Sequence, residues 1–145
     1  MKRILVPLDL TSEPDAVTRV VADAARGGGA TVRLLHVAPV SEAVVDSTGR
    51  IIAYADQESA RLEAEALDYL RTLEIAFDDV PVEAVVLFGD PAEEILRAAD
   101  EFGADLIVLG TPRGFVSRCC GTAIRVWRHA DAAVMLLKPP ALIAA

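Results

Sequence analysis

The chain has 145 residues, of which 53% are hydrophobic and 25% are charged. This composition fits a single globular domain over residues 1–145 and excludes a disordered chain. The formal net charge of −8 excludes general binding to nucleic acids or anionic membranes, because such binding needs a basic face.

The amino-terminal run from Met1 to Val6 has the charged beginning of a signal peptide. Pro7 and Asp9 leave its apolar part too short for one, so we interpret the run as the first strand. No other apolar run approaches the roughly 20 residues of a membrane span. We therefore expect a cytoplasmic protein.

Strand and helix patterns alternate along the whole chain. Most of the strand patterns are near-continuous apolar runs, which is typical of parallel strands covered by helices on both faces. This order predicts a doubly wound α/β sandwich with a parallel sheet. The predicted strands are Arg3–Leu8, Thr31–Val37, Val82–Phe88, Asp105–Leu109 and Ala132–Leu137, and the predicted helices are Glu13–Arg26, Gln57–Ile75, Pro91–Glu101 and Ser117–His129.

One connection, from Ala38 to about Asp56, is longer than the others. Connections of this length are uncommon in a compact domain and often have a function. The turn-forming residues from Ser47 to Gly49 predict a small hairpin or lid turn within it.

The turn from Gly110 to Thr122, with the sequence GTPRGFVSRCCGT, follows a predicted central strand and leads into a helix. Backbone N–H groups and the positive end of the helix dipole at such a turn suit an anion, often a phosphate. The segment 110–130 also contains no acidic residue. Its four arginines are Arg113, Arg118, Arg125 and Arg128.

Several short segments together resemble the universal stress protein family. In chain order they are Ile4–Asp9, Leu34–Val37, Gly89–Pro91 with Ile95, Asp105–Thr111, Arg128–Ala130 and Ala133–Pro139. The resemblance implies a five-stranded parallel sheet of order 3-2-1-4-5, an adenine-nucleotide α-hydrolase-like sandwich. It also implies a homodimer through the fifth strand, Ala132–Leu137. That strand has no charge before Lys138, and an uncharged edge strand needs a cover.

The resemblance further implies a nucleotide, ATP with Mg²⁺ or AMP, near the ends of the first and fourth strands. In many members the Asp of the first strand lies near the adenosine or the metal, and the residue after the His of the second strand lies against the adenine. A glycine loop in these members holds the phosphates. The binding residues that we predict on this basis are Pro7, Asp9, Val37, Leu109, Gly110, Arg113, Gly114, Gly121, Thr122 and Ala123.

The glycine loop departs from the family's ATP-binding pattern. Between Gly110 and Gly121 it is two residues shorter than that form, and its length matches the subclass that does not bind ATP. Members of that subclass usually lack the glycines, which are present here. Arg113 and Arg118 offer guanidinium groups that can replace lost backbone donors on phosphate.

Two other functions stay open at this point. One is a family member without nucleotide or any other cofactor, acting as a dimeric module that binds an unknown protein partner. The other is a phosphoacceptor receiver domain, because Asp90, Thr111 and Lys138 fall at strand ends where such a domain has Asp, Thr and Lys. No motif or constellation predicts a P-loop, a metal site or catalysis, so we expect a protein that is not an enzyme.

The remaining reactive or aromatic residues have structural interpretations. Cys119 and Cys120 are neighbours that cannot form an ordinary disulfide, and we interpret them as small helix residues, with a redox role as the alternative. His36 is predicted to be a hydrogen-bonded residue at a strand end, and Trp127 to be a core or dimer contact. Arg125 is predicted to pair with an acidic neighbour or to face solvent.

Overall fold

The structure, a computed structural model, describes residues 2–9, 14–40, 44–110 and 121–137. Strands and helices alternate along these residues as the sequence pattern predicts. The strands are β1 (Arg3–Pro7), β2 (Thr31–Ala38), β3 (Val44–Val45), β4 (Ile51–Ala53), β5 (Val82–Phe88), β6 (Leu106–Gly110) and β7 (Ala133–Leu137). The helices are α1 (Pro14–Ala25), α2 (Ala55–Leu73), α3 (Pro91–Phe102) and α4 (Gly121–His129), and a 3₁₀ turn, Glu74–Ala76, follows α2.

The main sheet has five strands in the order β5-β2-β1-β6-β7, and all of its neighbouring strands are parallel. Counted along the main sheet alone, this is the predicted order 3-2-1-4-5, so the predicted fold class is confirmed. The central strand β1 pairs with β2 on one side and with β6 on the other. Crossovers turn in opposite directions from this point, which is where ligands bind in open α/β sheets.

Two hydrophobic cores, one on each face of the sheet, hold these layers together. On one face, α1 and α2 bury residues such as Val17, Val21 and Leu70 against the sheet. On the other face, α3 and α4 bury residues such as Ile95 and Val126. Because side chains alternate along a strand, successive residues of β1, β2 and β6 supply the two cores in turn.

Helix α3 has clear signals at both of its ends. The Asp90 side chain accepts a hydrogen bond from the Glu93 backbone N–H at 3.1 Å, and Pro91 occupies the first turn. Gly103 ends the helix with φ of 68°, a left-handed conformation that glycine adopts without strain. The predicted start of this helix is therefore confirmed, and its end lies one residue further along.

The amino-terminal end of the sheet is closed by side chains around Phe102. Arg3 Nη1 donates a hydrogen bond to the Phe102 carbonyl at 2.8 Å, and the Arg3 backbone N–H donates to Asp105 Oδ2 at 2.9 Å. The Arg33 guanidinium lies 4.2 Å from the centroid of the Phe102 ring and also pairs with Glu83. These contacts cover the end of the sheet with groups of the chain itself.

The long connection after β2 contains the predicted hairpin. Strands β3 and β4 pair antiparallel, and Gly49 has φ of 83° in the turn between them. Asp46 Oδ1 accepts hydrogen bonds from the Thr48 hydroxyl at 2.7 Å and from the backbone N–H groups of Thr48 and Arg50 at 2.9 Å. These bonds hold the pKa of the Asp46 carboxyl below its ordinary value, with the Thr48 hydroxyl as the largest cause.

Some predicted boundaries are wrong, and one predicted pair of alternatives is narrowed. Helix α2 begins two residues before Gln57, because the Gln57 side chain accepts a hydrogen bond from the Tyr54 backbone N–H and caps the helix there. Trp127 is 61% exposed, which excludes the core position, whereas the alternative, a dimer contact, stays a prediction. It lies on the part of α4 that the sheet does not cover.

Some predictions fall on residues that the structure does not describe. They concern Cys119, Cys120 and the first turn of the predicted fourth helix. Within the described residues, no helix is both long and apolar enough to cross a membrane.

Candidate functional site

A cavity of about 540 Å³ lies at the carboxyl-terminal ends of β1, β2 and β6, next to the first turns of α3 and α4. This is the edge of the sheet that the doubly wound topology predicts for a ligand. The residues lining it are Pro7, Leu8, Asp9, Leu35, His36, Val37, Pro39, Pro91, Ile95, Leu109, Gly110, Gly121, Thr122 and Ala123.

The structure brings the predicted binding residues together. All of those in its described part line the cavity, namely Pro7, Asp9, Val37, Leu109, Gly110, Gly121, Thr122 and Ala123. They come from three strand ends and the beginning of α4. Arg113 and Gly114 lie outside the described residues. That these residues bind a ligand stays a prediction.

One wall of the cavity was missed by sequence reasoning. It comes from α3, where Pro91 and Ile95 line the cavity, and from Leu35 and Pro39 on β2 and just after it. The predicted sheet order could have identified this wall, because α3 begins at the same edge of the sheet where β1 and β6 end. Together with Val37, Leu109 and Ala123, these residues make the inner part of the cavity apolar.

The segment that carries Asp9 is fixed by its neighbours on β2. The Leu8 backbone N–H donates to the Leu35 carbonyl at 2.7 Å. The Leu8 carbonyl lies 2.9 Å from His36 Nδ1, and because a carbonyl only accepts, Nδ1 carries the proton. His36 is thus hydrogen-bonded at a strand end, as predicted, and it sets the position of the backbone that leads to the exposed Asp9.

The two glycines of the site have different surroundings. A Cβ atom on Gly110 would come within 2.8 Å of Val17 Cγ2 on α1, closer than real Cβ contacts allow. Among the described residues, none has an atom within 4 Å of a Cβ built on Gly121. Gly110 is therefore required by packing against α1, whereas contacts within the described part of the chain do not explain the glycine at Gly121.

The first turn of α4 faces the cavity with Gly121, Thr122 and Ala123. The first backbone N–H groups of a helix have no partner within it, and the helix dipole places positive charge at that end. No acidic residue lies in the first turn of α4. This rim of the cavity therefore favours an anionic group.

An ion pair links α3 and α4 beside the cavity. Arg125 Nη1 lies 3.2 Å from Asp90 Oδ2, so Arg125 pairs with an acidic neighbour as predicted. The pKa of the Asp90 carboxyl is held below its ordinary value, first by the hydrogen bond from the Glu93 backbone N–H and then by Arg125. In the receiver-domain alternative Asp90 would be the phosphoacceptor, but here it caps a helix and pairs with an arginine. Thr111 and Lys138, its supposed partners, lie outside the described residues.

The cavity as a whole combines an apolar interior with a polar rim. An apolar interior of this kind accommodates a flat, weakly polar ring, and the start of α4 suits a negatively charged tail. Across the described ranges, no group of three or more His, Cys, Asp or Glu side chains is placed to hold a metal ion.

Known proteins are similar to this chain over nearly its whole length. The model of the universal stress protein family matches residues 1–138. The universal stress protein G of Shigella flexneri is 29% identical over 143 residues, which cover 94% of this chain and 99% of that protein.

Solved structures give the same result for the fold. The universal stress protein of Archaeoglobus fulgidus in complex with dAMP superposes with a TM-score of 0.59 at 22% identity, covering 94% of this chain and 97% of that one. A universal stress family protein of Arabidopsis thaliana with AMP bound has a TM-score of 0.64 at 18% identity, covering 97% and 93% of the two chains.

Proposed function

The chain belongs to the universal stress protein family, and from this premise we propose that it is a regulatory stress-response protein that binds an adenine nucleotide. The binding site is the cavity at the ends of β1, β2 and β6. The observation that carries this proposal is the meeting of an apolar interior with the start of α4 in one cavity. An adenine ring and a phosphate group need those two environments within the length of one ligand.

Solved relatives support the choice of ligand. The Archaeoglobus fulgidus protein was solved with dAMP, the Arabidopsis thaliana protein with AMP, and a further universal stress protein with cAMP. Each of these ligands joins adenine to phosphate. Because identities to these chains are 17–22%, the structural likeness shows a shared fold, and the proposal of a ligand for this chain rests on its own site residues.

Within the proposed site, the residues have separate roles. Val37, Ile95 and Leu109 contact the base, and Asp9 accepts hydrogen bonds from the sugar or, with ATP, helps to hold Mg²⁺. The backbone N–H groups at Gly121 and Thr122 bind the phosphates. The ligand is AMP or, with Mg²⁺, ATP.

The direct test is to denature the purified protein and to identify released nucleotide by chromatography, followed by calorimetric titration with AMP and with ATP and Mg²⁺. We expect the unaltered protein to bind nucleotide. Asp9→Ala and Gly121→Val should each weaken binding by about tenfold or more, because Asp9→Ala removes a carboxylate that contacts the nucleotide and Gly121→Val fills the space for the phosphates. Circular dichroism checks that both variants fold. Full affinity in both would place the ligand elsewhere, and no binding by the unaltered protein would reject the proposal.

A second candidate function is a dimeric, nucleotide-free module that binds a protein partner. The sheet edge formed by β7 favours it, because Met135 is 45% exposed and Leu136 is 37% exposed on a strand that pairs only with β6 in the described part of the chain. Apolar edge strands tend to pair with another strand. We propose that two copies pair through β7 whether or not nucleotide binds.

Light scattering at several concentrations tests the dimer. Leu136→Lys should yield a monomer, whereas Ile75→Lys, which changes an exposed apolar residue far from β7 in sequence, should leave the dimer intact. A monomeric unaltered protein would reject the dimer and leave the nucleotide proposal standing.

The proposal includes no catalytic role. The described part of the cavity brings together Asp9, Thr122 and His36. The His36 Nδ1–H donates to the Leu8 carbonyl, and we assign that hydrogen bond a structural role. It also includes a cytoplasmic location, because a nucleotide sensor needs a compartment that contains nucleotide. Cell fractionation with an antibody against the protein tests the location.

A further inference from the structure

The ion pair between Asp90 and Arg125 lies beside the cavity and has no part in the roles described so far. Arg125 Nη1 is 3.3 Å from Asp90 Oδ1 and 3.2 Å from Asp90 Oδ2, and both side chains are about half exposed. Pro91, the residue after Asp90, lines the cavity, and so does Gly121, which precedes Arg125 by one helical turn. Each end of the pair is thus anchored next to a cavity residue.

The direction of the Arg125 side chain points to the same place. Residues four apart share one face of a helix, and helix side chains lean toward the amino-terminal end. Arg125 therefore extends along α4 toward Gly121, at the amino-terminal end of the helix. The contact with Asp90 shows that its guanidinium reaches the level of the first turn of α3.

The two members of the pair act in opposite directions on an anion in the cavity, because Arg125 attracts it and Asp90 repels it. The Asp90 carboxylate cannot turn away, because it caps α3 through the Glu93 backbone N–H at 3.1 Å. Unpaired, this fixed negative charge would repel a phosphate at the start of α4. Arg125 cancels that repulsion, and the pair as a whole has no net charge.

We propose that Arg125 preserves the preference of the cavity for phosphorylated nucleosides over the uncharged nucleoside by neutralising Asp90, so that the charge balance between these two residues tunes that preference. Arg125 is the attracting member and Asp90 the attenuating member. This inference rests on the proposed nucleotide site and adds to it the residues that determine selectivity for charge. Because the unaltered pair has no net charge, its influence on ligand affinity is measured by replacing one member with an uncharged residue.

A series of four proteins tests the inference: the unaltered chain, Asp90→Asn, Arg125→Gln and the double variant. Asn retains the ability to cap α3, and Gln retains the length and helix preference of Arg. The net charge of the pair is then zero, +1, −1 and zero. Affinities for adenosine, AMP and ATP without Mg²⁺ are measured by calorimetry at low ionic strength, where charge effects are largest.

We expect the affinity for ATP to follow the charge of the pair. Asp90→Asn should raise it, Arg125→Gln should lower it, each by about threefold to tenfold, and the double variant should return close to the unaltered value. The effect on AMP should be smaller, and adenosine should bind equally to all four. Arg128→Gln removes the same charge one turn further from the start of α4 and should change ATP affinity by less than about twofold.

Two results would overturn the inference while leaving the nucleotide site intact. One is an unchanged ratio of ATP to adenosine affinity across the series. The other is an equal loss of affinity for all three ligands in both single variants, which would mean that the pair only holds α3 and α4 together. If the unaltered protein binds none of the three ligands, both the proposed function and this inference are rejected.

Discussion

The two ends of the main sheet differ in how far side chains cover them. At the amino-terminal end, Arg3, Arg33 and Asp105 close around Phe102 with hydrogen bonds and a stacked guanidinium, and Arg33 also pairs with Glu83. At the carboxyl-terminal end, the strands and the first turns of α3 and α4 leave a cavity of about 540 Å³. Within the described residues, side chains thus complete the sheet at one end and leave a cavity at the other.

This difference separates the residues that stabilise the fold from those available to a ligand. Backbone groups at a strand end need partners, and the amino-terminal end supplies them from within the chain. At the other end, the start of α4 lines a cavity that the atoms of the described residues do not fill. Changes at the amino-terminal end should therefore alter stability alone, and changes at the cavity should also alter binding.

The largest expected effect is at two buried residues on opposite ends of α3. Phe102→Ala should lower the free energy of unfolding by about 3–5 kcal/mol, and Ile95→Ala by about 2–5 kcal/mol, because each leaves a hole in the same core. Only Ile95→Ala should also change nucleotide affinity, since Ile95 lines the cavity. Chemical denaturation and calorimetry measure the two quantities. A change in affinity in folded Phe102→Ala protein would contradict the separation of the two ends.

The second effect tests whether the cavity end also contains residues required by the fold. Gly110→Ala should lower the free energy of unfolding by about 1–3 kcal/mol, because its Cβ would meet Val17 Cγ2 at 2.8 Å. Adding Val17→Ala should remove the clash, so the double variant should lose less than the two single losses combined. Gly121→Ala, with open space around its Cβ, should keep the stability and lose affinity for nucleotide.

These two glycines show what the sequence could and could not predict about the site. Both were predicted as binding residues from one loop pattern, and only the packing of α1 against β6 distinguishes them. The predicted strand 82–88 has the right bounds at both ends, because Pro81 and Gly89 mark them. The structure begins β6 at Leu106 rather than at Asp105, whose side chain instead accepts a hydrogen bond from Arg3.

Contacts between elements distant in sequence account for most of what was missed. The α3 wall of the cavity, with Ile95, follows from the sheet order and not from any local pattern. Trp127 is hydrophobic and lies at a helical spacing from buried residues, yet α4 packs through Ala123 and Val126 and leaves Trp127 outside. Hydrophobicity alone does not distinguish a buried helix face from an exposed one.

A smaller effect is expected at Arg3, on the closed end. Arg3→Met keeps much of the apolar stem but loses the hydrogen bond to the Phe102 carbonyl, which should lower the free energy of unfolding by about 1 kcal/mol. Nucleotide affinity should not change. Lys2→Met is the matched control, because it removes a neighbouring positive charge and should leave stability within about 0.5 kcal/mol. Equal losses in both variants would show that general charge, and not the Phe102 contact, is responsible.

The smallest effect is a dependence on pH at the open end. The pKa of Asp90 lies below its ordinary value of 3.8, first because the Glu93 backbone N–H stabilises the carboxylate and then because Arg125 does. A carboxyl whose pKa is lower in the folded state contributes stability above its unfolded pKa and loses it as the pH falls through the folded pKa.

The stability difference between the unaltered protein and Asp90→Asn should therefore be constant near neutral pH and should shrink in acid below the ordinary value. Denaturation curves of both proteins, measured from about pH 7 to about pH 3, follow this difference directly. Because acidic groups elsewhere contribute equally to both proteins, the shrinking difference belongs to Asp90. A difference that grows in acid would mean that the carboxylate is destabilising where it stands, and the contact between α3 and α4 would then need another explanation.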